Sequence, residues 1–308
     1  MSLLKGEHLS IGCILNFNRI GIGMNEKRLL ITGVNSYIGI SFKTWLEESD
    51  VTYKIDLVSM RNDEWQRINF KLYDSIVHVS ALVHQKERKE FEKDYFKVNC
   101  ENTYRMANLA RDAGVKQFIF ISSMAIYGDE VADITKDTMP KPTTYYGKSK
   151  LLAEEKLDKL RNEKFKVAII RPPMVYGKNC PGNYLRLAKL AIYSPIFPKF
   201  ENKRSMIYID NLCLLMQQIL DNEADGVFCP QEENYISTSV LVKEIASIHR
   251  HKIVLTSIFN PIIRILIVRV PIFKKIFGDL TYDDSFSKEI SFKYQHVNWK
   301  ESIKQSTL

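Results

Sequence analysis

The chain has 308 residues, of which 45% are hydrophobic and 26% are charged. This is the composition of a folded protein with enough length for a large core and a smaller appended lobe, and it excludes disordered and collagen-like architectures. The 44 Lys and Arg residues exceed the 36 Asp and Glu residues, for a formal net charge of +8, which favours anionic ligands. The basic residues are not gathered into a tract interleaved with aromatics, so we expect no nucleic-acid partner.

Five cysteines are scattered along the chain without a CxxC pair or a ligand-like histidine spacing. This pattern predicts no metal site and is typical of the reduced thiols of a cytoplasmic protein. The first residues contain only short apolar runs, unlike a secretory signal peptide, and Met24 resembles a natural start. We therefore expect residues 1–24 to be a leader or extension without a role in the fold.

A short apolar run predicts the first strand, over residues 27–32, and an amphipathic pattern predicts the first helix, over residues 36–48. The turn between them contains two glycines, which let the backbone approach a pyrophosphate group at the start of the helix. The turn residues that we expect at this ligand are Gly33, Asn35, Ser36, Tyr37, Ile38 and Gly39.

Strands and helices are predicted to alternate along the next 140 residues or so. Strands are predicted over residues 53–59, 74–84, 116–121 and 167–170, and helices over residues 98–113 and 146–161. The alternation predicts an α/β fold with a parallel, doubly wound sheet. His78 precedes the carboxyl end of its strand, and we therefore interpret it as a hydrogen-bonded sheet residue and not as a catalyst.

Hydroxyl and amino groups follow the strand over residues 116–121. Ser122 and Ser123 come directly after it, at the end where open α/β sheets bind ligands. Tyr146 and Lys150 are four residues apart and share one face of the predicted helix. An ammonium group close to a phenol favours the phenolate, so we expect Lys150 to bring the pKa of Tyr146 nearer to neutrality.

In matching order, these motifs resemble the extended short-chain dehydrogenase/reductases that act on nucleotide sugars, the NAD-dependent epimerase/dehydratase family. The resemblance runs from about Arg28 to about Leu212. It implies a Rossmann-type NAD(P)-binding domain over residues 25–177 and a small C-terminal substrate-binding lobe over residues 178–308, interleaved with the last sheet strands. The matching segments are Thr32-Gly33…Gly39, Asn99, Ser122-Ser123, Tyr146…Lys150, Arg171-Pro172-Pro173-Met174-Val175-Tyr176-Gly177 and Arg204…Asp210.

The resemblance implies a nicotinamide cofactor, and the end of the second strand bears on which one. An acidic residue there favours NAD, whereas a basic residue accepts the 2′-phosphate of NADP. Ser59 and Arg61 stand at this end, so we expect NADP, with NAD as the alternative if Arg61 is a solvated loop residue. Ser36 replaces the middle glycine of the family pattern, which is tolerated where the local φ is negative. The family's other cofactor-edge positions match Ser80, Ala81 and Asn99.

The resemblance also implies the roles of the site residues. Carried over by motif, Tyr146 exchanges the proton on the C4 oxygen of a sugar, Lys150 holds the nicotinamide ribose, and Ser123 hydrogen-bonds the C4 oxygen. Arg204 matches an arginine that meets the diphosphate of the nucleotide sugar. The residues that we expect at the substrate are His84, Met124, Asn183 and Arg204.

The leading functional interpretation is a UDP-4-keto-sugar reductase in surface-polysaccharide biosynthesis, and the alternative is a UDP-glucose or UDP-N-acetylglucosamine 4-epimerase. Dehydration is disfavoured, because Met124 and Ala125 follow Ser123 where a dehydratase has acidic residues. Met174 stands where UDP-glucose 4-epimerase usually has an asparagine. A non-enzymatic, dinucleotide-sensing regulator ranks below both enzymes, because Tyr and Lys are both present in the motif.

Residues 253–278 are strongly apolar but are interrupted by charges and prolines. They therefore lack the span of about 20 apolar residues that a transmembrane helix requires. A packed helical cap is the favoured interpretation, and peripheral contact with an anionic membrane through the interspersed Arg and Lys is the alternative. The family resemblance further implies a homodimer.

Overall fold

The computed structural model describes residues 26–83 and 88–307. The predicted leader lies outside these ranges. The strands are β1 (Lys27–Thr32), β2 (Tyr53–Val58), β3 (Ser75–His78), β4 (Gln117–Ile121), β5 (Asp133–Ile134), β6 (Lys166–Ile170), β7 (Met174–Tyr176), β8 (Ile196–Pro198), β9 (Met206–Tyr208), β10 (Gly226–Phe228), β11 (Val254–Thr256) and β12 (Thr281–Tyr282). The helices are α1 (Tyr37–Glu47), α2 (Glu92–Phe96), α3 (Asn102–Asp112), α4 (Tyr145–Asp158), α5 (Asn183–Tyr193), α6 (Ile209–Asp221), α7 (Thr238–Ile248), α8 (Asn260–Arg269), α9 (Pro271–Phe277), α10 (Asp284–Glu289) and α11 (Trp299–Thr307).

Six parallel strands form the central sheet, in the order β2-β1-β3-β4-β6-β10. The inner strands β1, β4 and β6 are largely apolar because both faces of the sheet are covered there. Leu29 and Ile31 of β1 enter one core cluster, and Leu30 between them enters the other. The predicted doubly wound parallel sheet is confirmed. The connections from β1 to β2 and from β2 to β3 place strands on opposite sides of β1, which is the topological switch point where such sheets bind ligands.

The chain after residue 177 contributes to two parts of the molecule. Helix α6 packs against α1, and β10 extends the central sheet beside β6. The remaining elements form a lobe in which β8 pairs with β11 and α5 packs against α7. Residues 260–277 fold into two short helices, α8 and α9, separated at Val270. Within the described ranges, no helix combines the length and the apolar character needed to cross a bilayer.

Helix α1 lies unusually close to the sheet at Gly39. Ser36 caps the helix by accepting a hydrogen bond from the Gly39 N–H at 3.4 Å, and Phe42 and Leu46 continue its buried stripe. A Cβ placed on Gly39 would lie 2.9 Å from the Cγ2 atom of Val79, which follows β3. The start of α1 therefore approaches the sheet only because this position has no side chain.

We predict that Gly39→Ala lowers the free energy of unfolding by about 1–3 kcal/mol, the usual cost of overpacking. Because the clash is with Val79, the same substitution should cost less in a Val79→Ala background. Urea denaturation of the four chains of this double-mutant cycle provides the measurement. An equal cost in both backgrounds would show that the Gly39–Val79 contact does not limit the approach of the helix.

Candidate active site

The turn from β1 to α1 has the geometry of an anion cradle. Gly33 has a φ of +85°, and a Cβ there would lie 3.3 Å from the Cα atom of Ser80. Ser36 has a φ of −75°, so the condition under which a serine replaces the family's middle glycine is met. Asn35 is exposed, and Ser36, Tyr37 and Ile38 are half-buried, at the amino end of the 11-residue helix α1. Backbone N–H groups at such an end favour phosphate.

The Tyr37 hydroxyl adds a second observation that fits a bound dinucleotide. It is buried and has no hydrogen-bond partner among the described residues. A Cβ on Gly177 would lie 2.5 Å from this hydroxyl oxygen, so the segment after β7 passes directly beside it. A buried hydroxyl without a partner is costly unless a ligand or water satisfies it. The cradle residues therefore fit a pyrophosphate-containing cofactor.

Ser59 and Arg61 follow β2, the strand beside β1. The Arg61 N–H donates to the Ser59 Oγ at 3.3 Å, which folds the two residues into one local turn. Arg61 is exposed, and no carboxylate precedes Asp63 in this segment. The structure thus places a hydroxyl and an exposed guanidinium at the sheet edge next to the cradle.

A hydrogen-bonded chain fixes the segment after β3. The Ser80 N–H donates to the Thr32 Oγ1 at 3.1 Å, and Thr32 Oγ1 lies 3.1 Å from His78 Nδ1. His78 Nε2 lies 2.9 Å from Thr103 Oγ1, which donates its own proton to a backbone carbonyl. Nε2 therefore carries the ring proton, and Nδ1 accepts from Thr32. Burial, assisted by the charge of Lys150, lowers the pKa of His78 to about 3. The interpretation of His78 as a satisfied sheet residue is confirmed.

Asn99 is fully buried and holds the same segment from the other side. Its Oδ1 accepts from the Leu82 N–H at 2.7 Å, and its Nδ2 donates to the Leu82 carbonyl at 3.1 Å. Nδ2 also donates to the Ser149 Oγ at 3.1 Å, which joins this segment to α4. Asn99 therefore acts through the backbone that carries half-buried Ser80 and Ala81. His84 lies outside the described residues.

Helix α4 brings Tyr146 to Ser123. Thr144 caps the helix by accepting from the Gly147 N–H at 3.0 Å. A Cβ on Gly147 would lie 2.5 Å from the Ala125 carbonyl oxygen, so the first turn of α4 rests on the helical turn Met124–Tyr127 after β4. Ser123 caps that turn by accepting from the Ala125 N–H at 3.1 Å, and it also hydrogen-bonds the Tyr146 side chain.

Lys150 is buried one turn beyond Tyr146. Its Nζ donates to the Ile121 carbonyl at 2.7 Å and lies 4.4 Å from the centre of the Phe120 ring. Burial lowers the pKa of Lys150 to about 7, and the charge of Glu154 partly opposes this. Burial also raises the pKa of Tyr146 to about 12, although the hydrogen bond from Ser123 works against it. The expectation that Lys150 brings the pKa of Tyr146 toward neutrality is therefore wrong for this arrangement, because desolvation of the phenolate dominates.

A buried ion pair below Lys150 was not predicted. Arg171 Nη2 donates to Glu154 Oε2 at 2.6 Å, and Arg171 Nη1 donates to the Tyr127 hydroxyl at 2.7 Å. The Ser122 hydroxyl donates to Glu154 Oε1. Removing one member of such a pair leaves an uncompensated buried charge. The signal in the sequence was the spacing of Glu154, four residues after Lys150 on the face that carries the site.

The remaining substrate positions differ in their surroundings. Met124 is 5% exposed and packs in a cluster with Tyr127 and Tyr282, so its side chain faces the core. Asn183 is exposed at the first residue of α5. Arg204 is largely buried, and its Nη1 donates to the Gly278 carbonyl at 2.9 Å. Within residues 26–83 and 88–307, no carboxylate lies within ion-pair distance of Arg204, and burial lowers the pKa of its guanidinium.

Comparisons with known proteins agree with this architecture. Residues 29–228 match the model of the NAD dependent epimerase/dehydratase family. The chain belongs to this family. Because the match begins in β1 and ends in β10, it covers the whole central sheet, the cradle and the Ser123, Tyr146 and Lys150 positions.

Two curated relatives and one solved structure illustrate the similarity. A UDP-glucose 4-epimerase from Vibrio cholerae is 35% identical over 182 residues, which is 56% of each chain. An N-acetyl-alpha-D-glucosaminyl-diphospho-ditrans,octacis-undecaprenol 4-epimerase from Escherichia coli O157:H7 is 31% identical over 43% of this chain and 41% of its own length. The structure of a dTDP-4-dehydrorhamnose reductase from Clostridium acetobutylicum has a TM-score of 0.71 at 16% identity, over 91% of this chain and 98% of that one. The chain therefore spans about half the length of the curated relatives, and the likeness to the solved structure concerns the fold.

The depressed pKa of Lys150 predicts a specific dependence of stability on pH. Unfolded lysine has a pKa of about 10.4, so between pH 7 and pH 10 the unfolded state holds more protons at this residue than the folded state does. The contribution of Lys150 to the free energy of unfolding therefore rises with pH, by at most about 1.4 kcal/mol per pH unit.

Urea denaturation at pH 7 and pH 9 tests this prediction. The stability of the wild-type chain relative to Lys150→Met should increase between the two values. Lys148→Met is the matched control, because Lys148 is exposed on the same helix and should give no such change. Parallel pH dependences of the wild type and Lys150→Met would contradict the lowered pKa.

Proposed function

We propose that this chain is an NAD(P)-dependent nucleotide-sugar oxidoreductase that acts at C4 of a UDP-hexose, specifically as a UDP-4-keto-sugar reductase. The observation that carries the proposal is that the close approach of Gly147 to the Ala125 carbonyl brings Tyr146 to Ser123 at the carboxyl edge of a parallel sheet, with Lys150 one turn further along α4. A positioned pair of hydroxyls beside a titrating amine is suited to transfer of a proton to a carbonyl oxygen.

Each of the three side chains has a distinct task. Tyr146 donates its proton to the C4 oxygen, and Ser123 hydrogen-bonds the same oxygen and keeps the phenol oriented. Because the pKa of Tyr146 is about 12, the phenol keeps its proton at neutral pH until the C4 oxygen takes it. Lys150 and Tyr146 also hold the cofactor, whose nicotinamide supplies the hydride when it is bound.

The cradle residues and the end of β2 support a dinucleotide with a 2′-phosphate. Gly33, Asn35, Ser36, Tyr37, Ile38 and Gly39 would hold the pyrophosphate, and Ser80 and Ala81 would line the dinucleotide. Ser59 and Arg61 would receive the 2′-phosphate, since the turn they form presents a hydroxyl and a guanidinium that makes no ion pair within the described residues. We therefore favour NADP over NAD. A reductase needs a cofactor that is exchanged at each turnover, and preference for NADP suits that use.

The substrate assignments rest on the C-terminal lobe. We assign Arg204 to the diphosphate of the UDP-sugar, because it is a largely buried guanidinium without a carboxylate partner among the described residues. Asn183, exposed at the start of α5, is assigned to the same ligand. Met124 is assigned only through its backbone, because its side chain is buried. Because Met124 and Ala125 occupy the positions where a dehydratase has acidic residues, the proposal does not include dehydration.

The second candidate function is 4-epimerisation. It is favoured by the names of the two curated relatives, which are both 4-epimerases. The end of β2 favours the reductase, and the two reactions share Ser123, Tyr146 and Lys150. For either reaction we propose a role in surface-polysaccharide biosynthesis in the cytoplasm, carried out by a homodimer.

Product analysis separates the two reactions. With a UDP-4-keto-hexose and NADPH, the reductase should consume one NADPH for each UDP-hexose formed, as followed by absorbance and by NMR of the sugar. UDP-glucose and UDP-N-acetylglucosamine should then remain unchanged in the absence of NADPH. Interconversion of UDP-glucose and UDP-galactose, or of their N-acetyl forms, without any change in reduced cofactor would replace the reductase by the epimerase.

Arg61→Asp tests the cofactor preference. A charge-assisted hydrogen bond contributes about 1.5–3 kcal/mol, so its loss should weaken NADPH binding by about 10- to 150-fold. The acidic replacement should at the same time favour NADH, because it can accept from a ribose hydroxyl. Titration of both cofactors by calorimetry measures the two affinities. Arg67→Asp makes the same charge change at an exposed position of the same segment and should leave the ratio of affinities unchanged. An Arg61→Asp chain that still prefers NADPH would exclude Arg61 from the site.

A further inference from the structure

Helices α8 and α9 turn a row of large apolar side chains to the outside of the protein. Ile262, Ile265 and Val268 recur every three residues along α8, and they are 59%, 55% and 86% exposed. The opposite side of the helix packs on the lobe through buried Ile263. We define the α8–α9 surface as the exposed apolar residues Ile258, Phe259, Ile262, Ile265, Val268 and Ile272.

The stretch from residue 245 to residue 278, which contains both helices, carries most of the net positive charge of the protein. Residues 245–278 contain no Asp or Glu but include six Lys and Arg residues, which leaves 38 basic and 36 acidic residues for the other 274. Five of the six are exposed and Lys274 is half-buried, and none of them lies within ion-pair distance of a carboxylate in the described part of the chain. The six cations are Arg250, Lys252, Arg264, Arg269, Lys274 and Lys275.

The exposed apolar side chains and the nearby cations together indicate which kind of partner could cover this surface. A second copy related by two-fold symmetry would bring the cations of the two helices, Arg264, Arg269, Lys274 and Lys275, against those of the other chain, and this repulsion opposes self-association through this surface. An anionic phospholipid surface fits both the apolar residues and the cations. Isoleucine and valine enter the boundary of the acyl chains, while Lys and Arg contact the anionic headgroups. We propose that the α8–α9 surface binds the protein peripherally to an anionic phospholipid bilayer.

The lengths of the two helices fit a position in the plane of the membrane. Helix α8 has 10 residues and α9 has 7, and the chain changes direction between them at Val270. A 10-residue helix is about 15 Å long, half the hydrocarbon thickness of about 30 Å. The segment therefore lies on the bilayer and does not cross it.

The bound surface would hold a specific part of the lobe near the membrane. The Gly278 carbonyl, directly after α9, accepts from Arg204 Nη1 at 2.9 Å. The Ile276 carbonyl within α9 accepts from the Thr238 Oγ1 at 2.7 Å, at the start of α7. Docking through α8 and α9 consequently brings the segment that carries Arg204 toward the headgroups, whichever reaction the site performs.

Vesicle binding by the full chain tests the proposal without reference to turnover. The protein should cosediment with phosphatidylcholine vesicles that contain phosphatidylglycerol, bind pure phosphatidylcholine weakly, and dissociate as the salt concentration rises. The double variants Ile265→Glu/Val268→Glu and Arg264→Glu/Arg269→Glu should each weaken binding by about tenfold or more. Met139→Glu is the matched control, because Met139 is 80% exposed on a different part of the chain, and it should bind as the wild type does.

A second measurement locates the contact. Tryptophan fluorescence of Ile262→Trp should be quenched by phosphatidylglycerol with brominated chains more strongly than that of the wild type, whereas Met139→Trp should show no such increase. Equal vesicle binding by the wild type and both double variants would overturn the proposal. So would a smaller oligomer in analytical ultracentrifugation of Ile265→Glu/Val268→Glu with vesicle binding intact, since that result assigns the surface to a second copy.

Discussion

The site depends on the contact between the first turn of α4 and the helical turn after β4. Gly147 permits this contact, because any side chain there would meet the Ala125 carbonyl oxygen, at 2.5 Å for a Cβ. The contact sets the position of Tyr146 against Ser123, and α4 then carries Lys150 under the end of β4. The hydrogen bond that Lys150 donates to the Ile121 carbonyl ties the helix to the end of β4. The hydrogen bond that Ser149 accepts from Asn99 ties it to the residue that holds the segment after β3.

Buried polar and charged side chains lie beneath this contact. They are costly to bury, and their hydrogen bonds favour one packing of α4 against the rest of the chain. Glu154 is 4% exposed, and it is satisfied by Arg171 and Ser122 together. Tyr282 extends the network to the C-terminal lobe: its hydroxyl donates to the Arg171 carbonyl at 2.9 Å, and its N–H donates to the Ser205 Oγ at 2.8 Å. Ser205 follows Arg204, so the ion pair below α4 is connected by hydrogen bonds to the proposed diphosphate-binding segment. A fully satisfied network of this kind favours a single packing of the two parts.

Sequence patterns predicted the sheet well because its strands bury both faces. The apolar runs of β1, β4 and β6 alternate with amphipathic helices, and this combination is typical of a parallel sheet covered on both sides. The ordered motifs likewise predicted that Ser123 and Tyr146 meet, and His78 was interpreted correctly from its place within a strand. The patterns were less informative outside the central sheet, where β7, β8, β9 and β11 are three residues each and pair with strands distant in sequence.

Electrostatic effects were the least accessible to prediction. The spacing of Tyr146 and Lys150 suggested a phenol of lowered pKa, but the depth of burial, which a pattern does not give, raises the pKa of Tyr146 and lowers that of Lys150. The partnership of Glu154 with Arg171 joins residues 17 apart on different elements, and the spacing of Glu154 from Lys150 does not reveal that partner. The exposure of the α8–α9 surface could likewise be read only from the structure, because isoleucine occupies both buried and exposed positions of α8.

The central claim is that Tyr146, held by Ser123, transfers the proton in a reaction at a sugar C4. Turnover of a UDP-4-keto-hexose by Tyr146→Phe and by Tyr145→Phe tests it most directly, since the two variants lose the same hydroxyl from adjacent positions of α4. Losing a positioned acid costs about 10²- to 10⁴-fold, so kcat should fall by that factor in Tyr146→Phe. Tyr145→Phe should keep kcat close to that of the wild type. Equal kcat values for the two variants would contradict the account.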